Sequence, residues 1–149
     1  MGGEAAAKVP QATAASLMEA NARFYEAFSA LDYPALEALW EKTDRVFCVH
    51  PGWPALRGWR PVLDSWKRII ANTASISFTL TAVNAHVDGV IGIVTLYENV
   101  SSRVGDDRHT SATVSTNVFG FDAEHGWRLF HHHSAHAPVS GEAEEALLN

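Results

Sequence analysis

The second half of the chain alternates with a period of two. Residues Ile76 to Val87 and Val90 to Val100 switch between apolar and polar and are rich in β-branched side chains. Between them stand Asp88-Gly89, the signal of a two-residue type I′ hairpin. Ser111 to Phe121 and Trp127 to Ser134 continue the pattern, separated by loops that hold Gly105-Asp106-Asp107 and residues 122–126. Consecutive strands with short connections form an antiparallel meander, and such a sheet must bury one face. The first half supplies the cover. Leu17, Phe24, Phe28 and Leu31 recur at helical spacing from Ala14 to about Ala30, behind Thr13 or Ser16 as cap. Asp32 caps a second helix with Pro34 in its first turn and Leu36, Leu39 and Trp40 on one face. Gly58 and Pro61 introduce a third, striped by Val62, Trp66, Ile69 and Ile70. Val46 to Val49 is a short strand that runs into His50-Pro51-Gly52. The class expected is α+β, with three N-terminal helices over one face of an antiparallel sheet.

At 149 residues, 47% of them hydrophobic, the chain suits one core. The working domain spans about 13–137, and residues 1–12 and 138–149 are expected to be flexible tails, the second one acidic. A formal net charge of −6 argues against nucleic acid and anionic membrane surfaces as partners. No apolar run approaches the ~20 residues that cross a bilayer, and the N-terminus lacks a basic, then apolar, leader pattern, so a cytoplasmic location is expected. The single cysteine, Cys48, excludes an intramolecular disulfide and a cysteine-built zinc site. The run His131-His132-His133 has no Asp or Glu close in sequence to complete a ligand set, so no metal and no cofactor are expected.

Strand neighbours point to opposite faces, which sorts the side chains. Ile91, Ile93, Thr95 and Tyr97 form one set; Thr113, Ser115, Asn117 and Phe119 a second; Trp127, Leu129, His131 and His133 a third. These three sets are assigned to the covered face, because Trp127 and Leu129 bury better than Arg128. In the last strand the other set, Phe130, His132 and Ser134, is also partly apolar, and a single bulge would exchange the two. An apolar floor with a few converging polar groups is the chemistry of a ligand pocket.

The stretches ARFYEAFSALDYPALEALW (22–40), VFCVHPGWPALRG (46–58) and GWRLFHHHSAHAP (126–138), in the order helix, helix, short strand, helix, meander, resemble the SnoaL-like domains of the nuclear-transport-factor-2-like, or ketosteroid isomerase-like, superfamily. That resemblance implies a cone, in which a strongly curved sheet wraps the helices around a cavity and homodimers form through the sheet's outer face. Ketosteroid isomerases carry a tyrosine on the first helix, a base before a proline and a protonated aspartate on the third long strand. The matching positions here are Phe24, His50 and Asn117. The resemblance thus gives His50 the role of general base, with Asn117 and Tyr97 as polarising donors. Phe24, Trp53, Trp66, Thr95, Ser115, Phe119, His131 and His133 are the expected pocket residues. The final strand also resembles the association domain of calcium/calmodulin-dependent protein kinase II; Thr95, Asn117 and Ser134 stand where that module holds arginines, so an arginine-bound anion is not expected. Two functions stay open. One is acid/base chemistry, such as isomerisation or dehydration, on a small apolar carbonyl compound; the other is a non-catalytic dimeric module for ligand binding or assembly.

Overall fold

A computed structural model describes residues 9–138. The outer parts of both expected tails, residues 1–8 and 139–149, lie outside the described residues. Helix α1 (Ala14–Ser29) starts at Thr13, whose side chain accepts from the Ser16 backbone while the Ser16 hydroxyl accepts from the Thr13 backbone, a reciprocal capping box. Helix α2 (Tyr33–Ala38) starts at Asp32 with Pro34 in its first turn. After strands β1 (Phe47–Val49) and β2 (Leu56–Arg57), helix α3 (Trp59–Asn72) leads into four long strands. These are β3 (Ser75–Asp88), β4 (Ile91–Val104), β5 (Asp107–Asp122) and β6 (Gly126–Ala137).

The six strands form one curved sheet in the order β2-β1-β6-β5-β4-β3. All neighbours are antiparallel except β1 and β6, which run parallel. The helices fill the concave side. Leu17, Phe24, Leu36, Trp40, Val62 and Trp66 from the helical half meet Val94, Leu96, Phe119 and Leu129 from the sheet in one buried cluster.

Two turns differ from expectation. The β3–β4 hairpin turns on Gly89-Val90, one residue later than Asp88-Gly89, with Gly89 at φ +60° and Asp88 paired to Ile91. The β4–β5 connection shrinks to Gly105-Asp106, so both strands extend to the Val104–Asp107 pair. Two one-residue insertions bend the ladder. Ala82, at φ +51°, marks the first, where β3 shifts register between Thr81 and Asn84. Phe130 is the second, left unpaired where Phe119 faces Leu129 and Val118 faces His131.

Gly92 shows how closely α1 rests on the sheet. A Cβ built there would lie 2.7 and 2.8 Å from the Leu17 methyl carbons and 3.1 Å from the Trp127 ring. Gly92→Ala is therefore expected to cost about 1–3 kcal/mol through overpacking, read as a lower urea midpoint at unchanged slope.

Candidate functional site

Between the curved sheet and α3 lies a cavity of about 250 Å³. Its walls are mainly apolar, with Phe28, Trp66, Ile69, Ile76, Phe78 and Val100, and its polar lining includes His50, Glu98, Ser111, His132 and Ser134. Trp53 and Pro51 from the loop after β1 stand at one side.

His50 ends the short strand β1, and its ring is clamped edge-on between Trp53 and Trp66, with centroids 4.9 and 4.7 Å away. Its Nε2 lies 2.8 Å from Ser65 Oγ. The Ser65 hydroxyl donates to the Val62 carbonyl at 2.6 Å, so it has only lone pairs to offer the imidazole. Nε2 is therefore the protonated nitrogen and Nδ1 carries the free lone pair. No described residue bonds to that Nδ1. Burial, with His132 nearby, lowers the pKa of His50 to about 4, so the ring is neutral at pH 7.

A second polar group closes the other side. Glu98, on β4, is buried, and its Oε2 accepts from Tyr25 Oη at 2.5 Å while Oε1 accepts from Thr113 Oγ1 at 2.5 Å. Burial first, and then the Glu98 charge, hold the Tyr25 phenol well above its ordinary pKa, so it stays a donor. Behind this pair Asn117 donates to Asn21 Oδ1 at 3.0 Å and to Tyr25 Oη at 3.1 Å, and accepts from His132 Nδ1 at 2.5 Å. The other His132 nitrogen is 3.1 Å from Ser134 Oγ, which is also hydrogen-bonded to Ser115. Burial, and then the neighbouring His131 and His133, lower the pKa of His132 to about 3. The network is self-consistent in its donors and acceptors, as a buried polar cluster must be.

Three imidazoles, of His50, His132 and His136, and the Glu98 carboxylate line this mostly apolar hollow, and residues 17–140 of the chain match a family model described as a SnoaL-like domain. The chain belongs to the SnoaL-like family. Among solved structures, the domain is similar to a provisional dehydratase of the nuclear-transport-factor-2-like family from Streptomyces avermitilis. The two share 37% identity and a TM-score of 0.79 over 85% of this chain and 96% of that one. It is also similar to a provisional calcium/calmodulin-dependent protein kinase type II association domain from Thiobacillus denitrificans, at 27% identity and a TM-score of 0.70 over 81% and 94% of the two chains. A curated relative, the F-box protein SKIP8 of Arabidopsis thaliana, is 25% identical over 126 residues, 83% of this chain and 51% of the plant protein. The chain spans about half the length of that relative.

Within this SnoaL-like domain the expected site residues separate into three groups. His50, Trp53 and Trp66 line the cavity. Asn117, Ser115, Phe24 and Phe119 are on the covered side but sit behind the lining, and both Asn117 amide hydrogens are already taken, so it has none left for a ligand. Thr95, Tyr97, His131 and His133 are on the outer face, against expectation. In β4 the buried set is Gly92, Val94, Leu96 and Glu98, while Tyr97 is 45% exposed. The alternation there is ambiguous, because Ile91, Ile93 and Tyr97 are as apolar as Val94 and Leu96. In β6 the insertion at Phe130 keeps Trp127 and Leu129 inside but turns His132 and Ser134 inward beyond it. His131 instead stacks on Phe47 at 4.9 Å on the outside, where burial and His133 lower its pKa.

The residues that the sequence reading did not place in the site are Tyr25, Ser65, Glu98, Thr113 and His132. The hydrogen-bonding phenol comes from Tyr25, one position after Phe24, because a 100° step around α1 turns it toward Glu98 and leaves Phe24 against Trp66 and His132. No helix among the described residues is long and apolar enough to cross a membrane, and they contain no cluster of three or more His, Cys, Asp or Glu placed to hold a metal ion.

Proposed function

We propose that this SnoaL-like domain binds a small, mostly apolar compound in the cavity and moves a proton on it, with His50 as the base. The observation that carries this is the tautomer of His50, whose Nε2–H is committed to Ser65 and whose Nδ1 lone pair belongs to a residue lining the cavity. In such a step a substrate C–H breaks and its proton goes to Nδ1; the electron pair moves toward an adjacent carbonyl, with the proton later returned from Nδ1 to carbon, or it breaks a β-C–O bond, with the Nδ1 proton passing to the departing hydroxyl, which leaves as water. The resemblance to a provisional dehydratase at 37% identity supports the second outcome.

His50→Gln keeps a donor for Ser65 and removes the basic lone pair. It is expected to lower the rate of proton exchange or dehydration, measured by proton NMR in D₂O on a panel of cyclic ketones and β-hydroxy ketones, by about 10²–10³-fold. The wild-type rate should be flat above pH 5 and fall as the ring protonates near pH 4, because only the neutral imidazole accepts a proton. Binding of these compounds without any turnover would instead assign the domain as a non-catalytic carrier.

A homodimer through the outer face is part of the same proposal. Ile93, Tyr97 and Val114 leave 39%, 45% and 39% of their surface exposed on adjacent strands of that face. Sedimentation equilibrium should give twice the chain mass, and Tyr97→Glu with Val114→Lys should return it to one.

A further inference from the structure

Glu98 is a buried carboxylate without a counter-charge. Among the described residues no Lys, Arg or His forms an ion pair with it, and its charge is held by hydroxyl donors alone. The donor arithmetic fixes its state. Tyr25 Oη accepts from Asn117 and gives its own proton to Oε2, and among the described residues the only partner of the Thr113 hydroxyl is Oε1. Both oxygens receive protons, which describes a carboxylate. Neutral donors soften the cost of burying such a charge but do not cancel it.

The rest of the lining points the same way. Among the described residues it contains no Lys and no Arg, and the imidazole nitrogen that His50 leaves free is an acceptor. An anion would meet the Glu98 charge with no lysine or arginine among the described lining residues to offset it. A cation would meet that charge and also the rings of Phe28, Phe78 and Trp66, the Phe28 ring lying 4.9 Å from each of the other two. Aromatic faces attract cations, and do so more strongly away from water.

We propose that the cavity is selective for an apolar amine, whose protonated nitrogen pairs with Glu98 while its hydrocarbon part fills the aromatic wall. This rests on the small-molecule reading above and names its ligand class.

The test is isothermal titration of the full chain at neutral pH with three compounds of one shape and different charge: 2-phenylethylamine, 2-phenylethanol and phenylacetate. The amine is expected to bind at least about tenfold tighter than the alcohol, with phenylacetate weakest. Glu98→Gln should cut the amine's affinity about tenfold and leave that of the alcohol within about twofold. Ser111→Lys gives a second, independent check should Glu98→Gln not fold. Ser111 lines the cavity two residues before Thr113, the strand partner of Glu98, so a lysine there can bring its own ammonium to the carboxylate and displace the ligand's. Equal affinity for amine and alcohol, tighter binding of phenylacetate, or an amine preference that survives both substitutions would overturn the proposal while leaving the pocket. Binding by none of the three would overturn the pocket reading together with it.

Discussion

Taking the protein from pH 7 to pH 4 will remove on the order of 5 kcal/mol of its stability, most of it through two histidines. The ordinary imidazole pKa is 6.5, and in the fold it falls to about 4 for His50 and about 3 for His132, in each case chiefly because burial disfavours the charged ring. Above pH 6.5 both rings are neutral in the folded and unfolded chain, and their contribution is fully present. Below it the unfolded chain takes up protons that the folded one refuses, so stability drops until the folded values are reached. A loss of this size compares with the whole stability of an ordinary domain, about 5–15 kcal/mol. Urea titrations at half-unit steps between pH 7 and pH 4 will show it. His132→Gln will start less stable at pH 7 but will fall less steeply, and an unchanged slope would place the acid sensitivity elsewhere.

The second large effect belongs to Trp66. Its ring is 1% exposed and stands within 4.7 to 6.3 Å, centroid to centroid, of His50, Phe28, Phe24, His132 and Trp40. Trp66→Ala is expected to cost about 3–5 kcal/mol, the usual range for emptying a buried aromatic site. Trp66→Phe should cost much less than Trp66→Ala. The indole N–H of Trp66 has no hydrogen-bond partner among the described residues, so its removal orphans nothing. Equal losses for the two variants would mean that the indole nitrogen, and not ring volume, holds this part of the core.

The fold was legible because its signals are local. Thr13, Asp32 and Pro34 mark helix starts by capping chemistry, and the alternation from Ile76 onward marks strands whatever they pack against. β2 leaves no trace in the sequence, because two residues, Leu56 and Arg57, carry no period. The site was less legible, because which face of a strand is covered is a long-range property. Thr113 and Asn117 point inward as the alternation of β5 predicts, whereas in β4 apolarity cannot choose, since both of its faces satisfy it. Reading Gly105-Asp106 as a two-residue turn would have paired Thr113 with Glu98 and brought the carboxylate inside. In β6 no single residue announces the insertion at Phe130, since Phe130, His131 and His132 differ little in how well they bury.

The extra residues at Ala82 and Phe130 carry a further consequence for how such a scaffold changes over generations. Strand parity in β6 is set by counting, so losing one histidine from the tandem while Phe130 remains unpaired would turn the Ser134 hydroxyl outward and move Ala135 into its place. Losing Phe130 itself would leave His132 and Ser134 where they are. Codon insertions and deletions, more than point replacements, are therefore the genetic steps by which a lineage built on this sheet could retool its interior in one move.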